Sequence, residues 1–235
     1  MRFLFVTDLH LRETDVDDFS THVRIVDAGL NFAGENWPDA EFCVIGGDIS
    51  DDGTRSTYRW LKTRLQSLPF PTILIPGNHD NRSVMLEEFE IESPFIHSAV
   101  DFGQYRCLFL DTLDPGNDSG FMCPERLTWL EAEVSKAGER PIIIVMHHPP
   151  CDIGDPILDP IKLRNYRELA GVLEPADIAQ IFFGHIHRNL ATTWNGIPAM
   201  SLAQPNRDLP TLSVELVGDR IASTYRASRS NLSGR

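Results

Sequence analysis

The sequence predicts an α/β fold, a sandwich built on a mixed β-sheet, and two observations carry this prediction. Apolar runs of strand length alternate with helix-like segments as far as residue 187, an order typical of parallel strands joined by helices. After residue 187 the pattern changes to strands joined by turns, which indicates hairpins. The chain has 235 residues, of which 42% are hydrophobic, so it can bury a sizeable core. We expect a single domain over residues 1–226 and a flexible tail over residues 227–235.

The first half of the chain contains three predicted strands, each followed by a helix. The strands read Phe-Leu-Phe-Val at 3–6, Phe-Cys-Val-Ile at 42–45 and Thr-Ile-Leu-Ile at 72–75. Apolar residues at three- and four-residue steps predict the first helix at Phe19, Val23, Val26, Leu30 and Ala33. The same spacing predicts the second helix at Tyr58, Leu61, Leu65 and Leu68. A short helix is expected over residues 83–89.

The second half of the chain adds three apolar strands and then the hairpins. The strands are predicted over residues 107–110, 142–146 and 178–183. Between them, Pro124 stands where a helix can begin, ahead of the apolar stripe Leu127, Leu130 and Val134. Another helix is predicted over residues 163–173. The two hairpin signals are Asn195-Gly196 and Gly218-Asp219.

Charge and cysteine usage narrow the function classes. The net charge is −13 and the sequence pI is about 4.9, whereas proteins that grip nucleic-acid phosphates non-specifically are basic. We therefore expect no long nucleic acid as a partner, and we interpret the acidity as ordinary solubility. The first apolar run is too short for a signal peptide, and no run reaches membrane-spanning length. None of the four cysteines forms a CxxC pair, so we expect a cytoplasmic protein and no membrane partner.

Polar, metal-binding side chains follow five of the apolar runs. The five segments are Asp8-Leu9-His10, Gly46-Gly47-Asp48, Gly77-Asn78-His79-Asp80, His147-His148-Pro149 and Gly184-His185-Ile186-His187. Six of the eight histidines fall in them, and we interpret His22 and His97 as structural or surface residues. Because strands of one sheet deliver their ends to one edge, we expect the segments to converge on a single polynuclear metal site.

The donor types in these segments indicate the metals and the chemistry. Carboxylate and amide oxygens mixed with imidazoles suit Fe, Mn, Zn or Co, and the lack of a thiolate argues against a structural zinc finger. The set is too large for one tetrahedral ion, but it suits two ions that share a bridging carboxylate. Two ions about 3.5–4 Å apart can clamp a phosphate and hold a nucleophilic hydroxide between them. Each segment alone is weak evidence for a metal site, since Gly and Asp together usually mark turns. All five segments in this order are hard to explain by accident.

Together the segments resemble the complete signature of the calcineurin-like metallophosphoesterases. The match comprises Asp8-x-His10, Gly47-Asp48, Gly77-Asn78-His79-Asp80, His147 and Gly184-His185-x-His187. Two longer runs are similar to class III cyclic nucleotide phosphodiesterases and their glycerophosphodiesterase relatives: Ile75-Pro76-Gly77-Asn78-His79-Asp80 and Val145-Met146-His147-His148-Pro149-Pro150. The resemblance implies a four-layer α/β/β/α sandwich with mixed β-sheets.

The resemblance also implies a role for each motif residue. Three residues hold the first metal ion: Asp8, His10 and His187. Three others hold the second ion: Asn78, His147 and His185. Asp48 bridges the two ions. His79 binds no metal, but contacts the phosphate and assists the leaving group.

Further residues near the motifs are candidates for supporting roles. Asp80 is expected to orient His79, as a carboxylate behind an imidazole does. His148 is expected to lie behind His147 or to contact the substrate.

Two loop residues, Arg12 and Asn206, are candidates outside the metal ligands. Arg12 follows the first motif, where some relatives place an arginine near the phosphate, but it could equally be a solvated arginine. Asn206, in a loop after the first hairpin, is expected to line the substrate pocket. Asp51 and Asp52, which follow the bridging position, could either support the ligands from behind or form a solvated turn, and we favour the turn.

The leading hypothesis is a binuclear metal-dependent phosphodiesterase that hydrolyses small phosphodiesters, with cyclic nucleotides such as cAMP as the first candidate. Glycerophosphodiesters or a broad range of phosphodiesters and phosphomonoesters are the alternative within the superfamily. A non-catalytic scaffold is a distant third, because such proteins typically lose ligands that this chain keeps. Related enzymes often carry a longer C-terminal segment that helps them dimerise or caps the site. Since 48 residues follow His187 here, a homodimer and a capped site both stay open.

Overall fold

Two β-sheets and six α-helices make up the part of the chain that the computed structural model describes, residues 1–218 and 220–227. The strands are β1 (Arg2–Val6), β2 (Phe42–Ile45), β3 (Thr72–Leu74), β4 (Ser98–Phe102), β5 (Tyr105–Phe109), β6 (Ile142–Val145), β7 (Ile178–Phe183), β8 (Leu190–Trp194), β9 (Ile197–Ser201), β10 (Pro210–Val217) and β11 (Arg220–Ala227). The helices are α1 (Glu13–Asp17), α2 (Thr21–Asn36), α3 (Arg55–Leu65), α4 (Arg82–Glu88), α5 (Pro124–Ala137) and α6 (Tyr166–Leu173). One turn of 3-10 helix lies at Asp159–Ile161.

Both sheets are mixed, and each contains a block of adjacent parallel strands. The first sheet has the order β11-β10-β1-β2-β3, in which β1, β2 and β3 are parallel and the β10–β11 hairpin runs antiparallel to β1. The second has the order β4-β5-β6-β7-β9-β8, in which only the edge strands β4 and β8 are antiparallel to their neighbours. In each sheet the parallel strands therefore end at a common edge.

Alternating side chains of β1 show how the layers are stacked. Phe3 and Phe5 belong to a core between the two sheets, where the Phe3 ring stacks on Phe42 with centroids 5.2 Å apart. Leu4 and Val6 point to the opposite face, because successive side chains of a strand alternate. They pack in a second core with residues of α2 and α3. A third core lies between the second sheet and helices α5 and α6.

These three cores separate four layers, helices, sheet, sheet and helices. The predicted four-layer α/β/β/α sandwich with mixed β-sheets is confirmed. All six strands predicted before residue 187 are present, and so are the hairpins at Asn195-Gly196 and after Gly218. Asp219 and residues 228–235 of the predicted tail lie outside the described residues, and Ala227 is the last residue of β11.

Several element boundaries differ from the prediction for local physical reasons. The first long helix begins at Thr21 rather than Phe19, because Phe19 has a left-handed backbone and Ser20 caps the helix by accepting from the Val23 amide. The helix predicted over 163–173 begins at Tyr166. Helix α1 was missed because it buries no residue and so has no apolar period. Strand β4 was missed because polar Ser98 and Asp101 interrupt its apolar run.

No helix among the described residues is both long enough and apolar enough to cross a bilayer. The longest helix, α2, has 16 residues and lies against the first sheet. The four cysteines, all within the described chain, are free, and Cys43 and Cys107 are buried in strands β2 and β5.

Candidate metal centre

The ends of the parallel strands from both sheets bring the five polar segments together. Backbone hydrogen bonds join the segments directly: the Asp8 amide donates to the Gly47 carbonyl at 2.9 Å, and the Gly184 amide donates to the His147 carbonyl at 3.0 Å. The Asp8 carboxylate crosses from the first sheet to the second, where its Oδ1 accepts from the His185 amide at 2.9 Å. The predicted convergence at one edge is therefore what the fold produces.

One group of donors forms around the ends of β1 and β7. Nε2 of His10 lies 2.9 Å from Nε2 of His187. Oδ1 of Asp8 is 3.5 Å from the same His187 nitrogen, and Oδ2 of Asp48 is 3.6 Å from the His10 nitrogen. One ligand atom from each of these four residues lies within 4.8 Å of the others, so the group can hold a metal ion.

A second group of donors lies beside the first, around the side-chain amide of Asn78. Its Oδ1 is 2.9 Å from Nδ1 of His185 and 3.3 Å from Nε2 of His147. Oδ2 of Asp48 is 3.3 Å from the same His147 nitrogen. A single carboxylate oxygen of Asp48 therefore reaches both donor groups, which is the position that the sequence predicted for a bridging ligand.

The backbone at these ligands adopts a conformation that side chains other than glycine rarely take. Five of the seven predicted ligands have positive φ angles, with values of 57° for Asp8, 45° for His10, 48° for Asp48, 70° for His185 and 55° for His187. Left-handed backbone at non-glycine residues is costly and clusters at functional sites. The strained turns aim successive side chains of each short segment into one shared space.

Two glycines of the motifs are required by close packing against the ligands. A Cβ atom on Gly77 would lie 2.1 Å from Oδ1 of Asp48, and a Cβ atom on Gly184 would lie 2.2 Å from the Thr7 hydroxyl and 2.6 Å from Asp8 Oδ2. No side chain fits at such distances. Because they have no Cβ atom, the two glycines leave free the space that the buried side chains of Asp8 and Asp48 occupy.

Burial and mutual charge shift the pKa values of the residues at this centre in different directions. Burial and the neighbouring imidazoles lower the pKa of His185 to about 3 and that of His187 to about 4. Burial would raise the pKa of Asp48, but His147 and His10 hold it well below the usual range. Burial, together with the Asp48 charge, raises the pKa of Asp8 to about 7. Near neutral pH the imidazoles of His185 and His187 are thus neutral, which is the form that coordinates metals. Burial would lower the pKa of His147, but Asp48 and Asp8 raise it to about 9, so this ring must release a proton when it binds a metal ion.

Two buried imidazole nitrogens without hydrogen-bond partners indicate whether the donor set fits a cation. Nε2 of His185 and Nε2 of His148 are buried and have no hydrogen-bond partner among the described residues. Buried polar atoms are normally paired, and one ligand atom from each of His147, His148 and His185 lies within 4.8 Å of the others, so a cation at this cluster would supply a partner. Nitrogen and oxygen donors without a thiolate match Fe, Mn, Zn or Co. The residues present fit a centre for divalent metal ions.

His79 lies at the rim of the centre, and Asp51 rather than Asp80 contacts its ring. Nδ1 of His79 is 3.3 Å from Oδ1 of Asp51 and 3.2 Å from the Asp51 carbonyl, and its side chain is 40% exposed. The His79 amide donates to Oδ1 of Asp48 at 3.0 Å, which ties this loop to the metal ligands. The ring also meets His10 edge-on, with centroids 4.9 Å apart.

The expectation that Asp80 orients His79 is therefore wrong. The Asp80 carboxylate is buried and accepts from the amides of Ile49, Ser50 and Gly77 and from the Tyr58 hydroxyl. These bonds fix the loop after β2 against the loop after β3. Asp80 thus holds the two loops together instead of standing behind the imidazole.

Asp51 is the site residue for which the sequence analysis favoured the wrong alternative. The interpretation as a solvated turn is wrong for it, because its carboxylate also lies 3.0 Å from Nδ1 of His10. The available signal was its place three residues after Asp48, in the same strand-end loop. Arg12 donates to Asp51 at 2.7 Å and is 62% exposed, so it lies at the rim of the site as an ion-paired arginine.

The two remaining candidates, His148 and Asn206, lie in different environments. His148 is fully buried, with Nδ1 2.8 Å from the Thr112 hydroxyl, so a direct contact with substrate is contradicted. Its ring packs against those of His147 and His185. Asn206 is exposed in the loop between β9 and β10, and its backbone N–H donates to the Asp208 carbonyl. Its role in the pocket stays a prediction.

The family profile that describes calcineurin-like phosphoesterases matches residues 1–189, which is most of the chain and includes every ligand above. The chain belongs to the calcineurin-like phosphoesterase family. A divalent metal centre is what both the family and the cluster of histidines and aspartates imply.

Members of this family with similar sequences are bacterial phosphodiesterases. A glycerophosphodiester phosphodiesterase of Enterobacter lignolyticus is 36% identical over 66% of this chain and 58% of its own length. A probable cyclic nucleotide phosphodiesterase of Rhodopseudomonas palustris is 32% identical over 84% of this chain and 76% of its own. A 3′,5′-cyclic adenosine monophosphate phosphodiesterase of Pseudomonas aeruginosa is 31% identical over 84% and 73%. The match thus spans less than two thirds of the Enterobacter relative.

Solved structures with the same fold are more distant in sequence. A dimetal phosphatase from Danio rerio superposes with a TM-score of 0.76 at 17% identity, covering 97% of this chain and 96% of its own. A purple acid phosphatase from yellow lupin superposes with a TM-score of 0.68 at 12% identity, covering 98% of this chain and 52% of its own. At these identities the likeness establishes the metallophosphoesterase fold.

Proposed function

We propose that this family member is a binuclear metal-dependent phosphodiesterase that hydrolyses small phosphodiesters. The observation that carries the proposal is the position of Asp48, whose Oδ2 lies 3.6 Å from His10 Nε2 in one donor group and 3.3 Å from His147 Nε2 in the other. A carboxylate between two such groups is the arrangement that two adjacent ions need. When bound, the ions neutralise phosphate charge and lower the pKa of a water molecule that serves as nucleophile.

The two donor groups support one division of the ligands. Three side chains would hold the first ion: Asp8, His10 and His187. Three others would hold the second: Asn78, His147 and His185. Asp48 would contribute to both. Nδ1 of His147 is 2.9 Å from the Gly46 carbonyl, which fixes the ring so that Nε2 faces the centre. Fe, Mn, Zn and Co all accept this mixture of nitrogen and oxygen ligands.

His79 is the residue that supplies a proton to the leaving alcohol. Its Nδ1 is occupied by Asp51, which leaves Nε2 as the nitrogen available for a substrate oxygen. The ring is partly exposed at the rim, next to His10. A group that acts as an acid must lie within hydrogen-bond reach of the departing oxygen, and the rim is where substrate can meet His79.

Cyclic nucleotides such as cAMP are the first candidate substrates, and glycerophosphodiesters are the alternative. The names of the relatives support both, since cyclic nucleotide and glycerophosphodiester phosphodiesterases match this chain at similar identity. Activity on a broad range of phosphodiesters and phosphomonoesters is a further alternative. The reduced state of the four cysteines supports a cytoplasmic location, and a homodimer stays a prediction.

The test is a substrate panel on protein loaded separately with Mn²⁺, Co²⁺ or Zn²⁺. It comprises cAMP, a glycerophosphodiester, bis(4-nitrophenyl) phosphate and the monoester 4-nitrophenyl phosphate. We expect hydrolysis of at least one diester that is abolished by a chelator and restored by metal. Hydrolysis of the monoester alone would contradict the proposal in favour of a phosphomonoesterase.

A further inference from the structure

His22, one of the two histidines outside the five motif segments, contacts the first of those segments. Nε2 of its ring lies 2.6 Å from the carbonyl oxygen of Leu9, the residue between the proposed ligands Asp8 and His10. A carbonyl oxygen can only accept, so this nitrogen carries a hydrogen and donates it. The contact is partly buried, and it joins the start of helix α2 to the motif across 13 positions of the chain.

We propose that His22 is a positioning residue for the first donor group. That group comprises Asp8, His10, Asp48 and His187. By holding the Leu9 carbonyl, His22 fixes the peptide group between Leu9 and His10, and so directs the His10 ring toward the other donors of the group. The inference rests on the proposed function, because it assigns His22 a part in holding one of the two metal ions, although His22 is not itself a proposed ligand.

The peptide group between Leu9 and His10 is held at both of its polar ends. Its N–H, which belongs to His10, donates to the Asp48 carbonyl at 2.8 Å, and its carbonyl accepts from His22. A peptide group is planar, so it rotates as one body about the line that joins its two Cα atoms. Two hydrogen bonds at opposite ends fix that rotation, whereas one bond alone defines it less well.

The rotation of this peptide group sets the backbone angle at His10. The φ angle of His10 is 45°, and that of Asp8, two residues earlier, is 57°. Left-handed backbone is costly for residues other than glycine and persists only where the surrounding structure holds it. Loss of the His22 bond therefore lets the peptide group rotate toward a negative φ angle at His10, and the direction of the imidazole changes with it.

Packing of side chains does not replace this bond. The Leu9 side chain is fully buried in the same core as Val23 and Val26 of α2, which fixes where the chain passes. A buried side chain constrains the position of its Cα atom more than the rotation of the peptide plane, however. Helix α1, which lies between Leu9 and His22 in the sequence, buries none of its residues, so it adds little packing to this segment.

The contact acts mainly on the first donor group. Nε2 of His10 lies 2.9 Å from Nε2 of His187, so a shift of the His10 ring separates two donors of the same group. The side chains proposed for the second ion alone follow strands β3, β6 and β7, and none of them belongs to the segment that His22 holds. Loss of the His22 bond should therefore weaken the binding of one ion more than that of the other.

Calorimetric titration of the metal-free protein with Mn²⁺ tests the proposal. His187→Ala and His185→Ala, which each remove one ligand, assign the two binding steps to the first and the second donor group. His22→Leu removes the hydrogen-bond donor but keeps a side chain of good helix propensity. It should weaken the first step about 10–100-fold, the usual effect of losing an outer partner of a metal ligand, and should change the second step little.

Two amide variants separate positioning from folding. His22→Gln places an N–H donor nearly as far from the backbone as Nε2 of histidine, and it should restore most of the affinity of the first step. His22→Asn is shorter by one carbon atom and should behave as His22→Leu does. The pair decides the question even if His22→Leu does not fold, because the two amides differ only in reach.

Arg24→Leu is the matched control in the same turn of α2. Nε of Arg24 donates to the Phe19 carbonyl at 3.1 Å, so this variant also removes a side-chain bond to a backbone carbonyl, but to one outside the motif. Both Mn²⁺ affinities should stay as in the wild type. A second readout needs no metal: NMR of the histidine rings in the metal-free protein should show the His22 hydrogen on Nε2.

The outcomes separate this inference from the proposed function. The positioning role is overturned, and the proposed function stands, if His22→Leu and His22→Asn bind both ions as tightly as the wild type or weaken both steps equally. It is also overturned if Arg24→Leu or His22→Gln loses as much affinity as His22→Asn, or if the His22 hydrogen lies on Nδ1. If the wild type binds two ions but hydrolyses no diester, the proposed function is overturned while the positioning role stands. A wild type that binds fewer than two ions overturns both.

Discussion

Oδ1 of Asp51 lies 3.3 Å from Nδ1 of His79, and the same oxygen lies 3.0 Å from Nδ1 of His10. One carboxylate therefore positions a proposed metal ligand and the proposed proton donor together. Because His10 belongs to the first donor group, this contact links the orientation of the leaving-group acid to the geometry of the metal centre.

Replacing Asp51 by Asn should weaken metal binding. The neutral amide loses the charge that strengthens the hydrogen bonds from both rings and presents an NH2 group instead of an acceptor to Arg12, and loss of an outer partner typically costs about 10–100-fold in metal affinity. Competition with a chromogenic chelator measures the change. Asp52→Asn is the matched control, since Asp52 lies in the same loop but bonds Glu13, Ser50 and Thr54 instead of a ligand. Equal losses in both variants would contradict the account.

Replacing His79 by Ala should preserve both metal ions and reduce turnover about 10²–10⁴-fold, the usual contribution of a positioned acid. The loss should be largest for unactivated alkyl diesters and smallest for bis(4-nitrophenyl) phosphate, because nitrophenolate departs with little help from a proton. Steady-state kinetics on both substrates, with metal content measured in parallel, make the comparison. An equal loss on the two substrates would remove His79 from the proton-transfer step.

Replacing Thr112 by Val should destabilise the fold. The Thr112 hydroxyl lies 2.8 Å from Nδ1 of the fully buried His148, and valine keeps the shape but removes the partner. An unpaired buried nitrogen costs about 1–3 kcal/mol, so the free energy of unfolding should fall by that amount. Urea denaturation of the metal-free protein measures it, and Thr112→Ser should restore most of the loss. Unchanged stability in Thr112→Val would show that this bond contributes nothing.

Replacing Gly77 by Ala should disrupt the metal centre while the fold persists. The new Cβ would lie 2.1 Å from Oδ1 of Asp48 and 2.7 Å from Nε2 of His147, so both ligands must move. Gly171→Ala is the control, because a Cβ there has no neighbour within 4 Å and lies inside helix α6. That variant should bind metal normally and gain about 0.5–1 kcal/mol of stability. Calorimetric titration with Mn²⁺ tests both.

The positions of the metal ligands could be predicted because they follow the simplest pattern in the chain. Each proposed ligand lies within a few residues of the end of a parallel strand, and parallel strands end together. Asp48 and His147 illustrate this, since they lie 99 positions apart in the sequence yet 3.3 Å apart in the fold. The α/β sandwich could be predicted from the order of strands and helices, whereas the four layers were expected only from the family resemblance. Phe3 and Leu4, neighbours in one apolar run, lie in different cores, and their order alone does not say which.

The contacts behind the ligands could not be predicted, because they depend on loop geometry. Asp51 and Asp80 each lie close to His79 in sequence or space, and only the fold decides which carboxylate meets its ring. Left-handed backbone at Asp8 and Asp48 directs their side chains toward the centre. No local sequence pattern predicts such a conformation at a non-glycine residue. Strand β4 was hidden for a related reason, since its pairing with β5 rather than its composition makes it a strand.

The count of metal ions bound by the wild-type protein and by Asp48→Ala tests the central claim most directly. Metal-free protein is dialysed against Mn²⁺, and the bound metal per chain is measured by mass spectrometry, with circular dichroism to verify folding. The account predicts two ions per chain in the wild type and fewer than one in Asp48→Ala, because both donor groups lose their shared oxygen. Two ions at full occupancy in Asp48→Ala, or a single ion in the wild type, would contradict a centre bridged by Asp48.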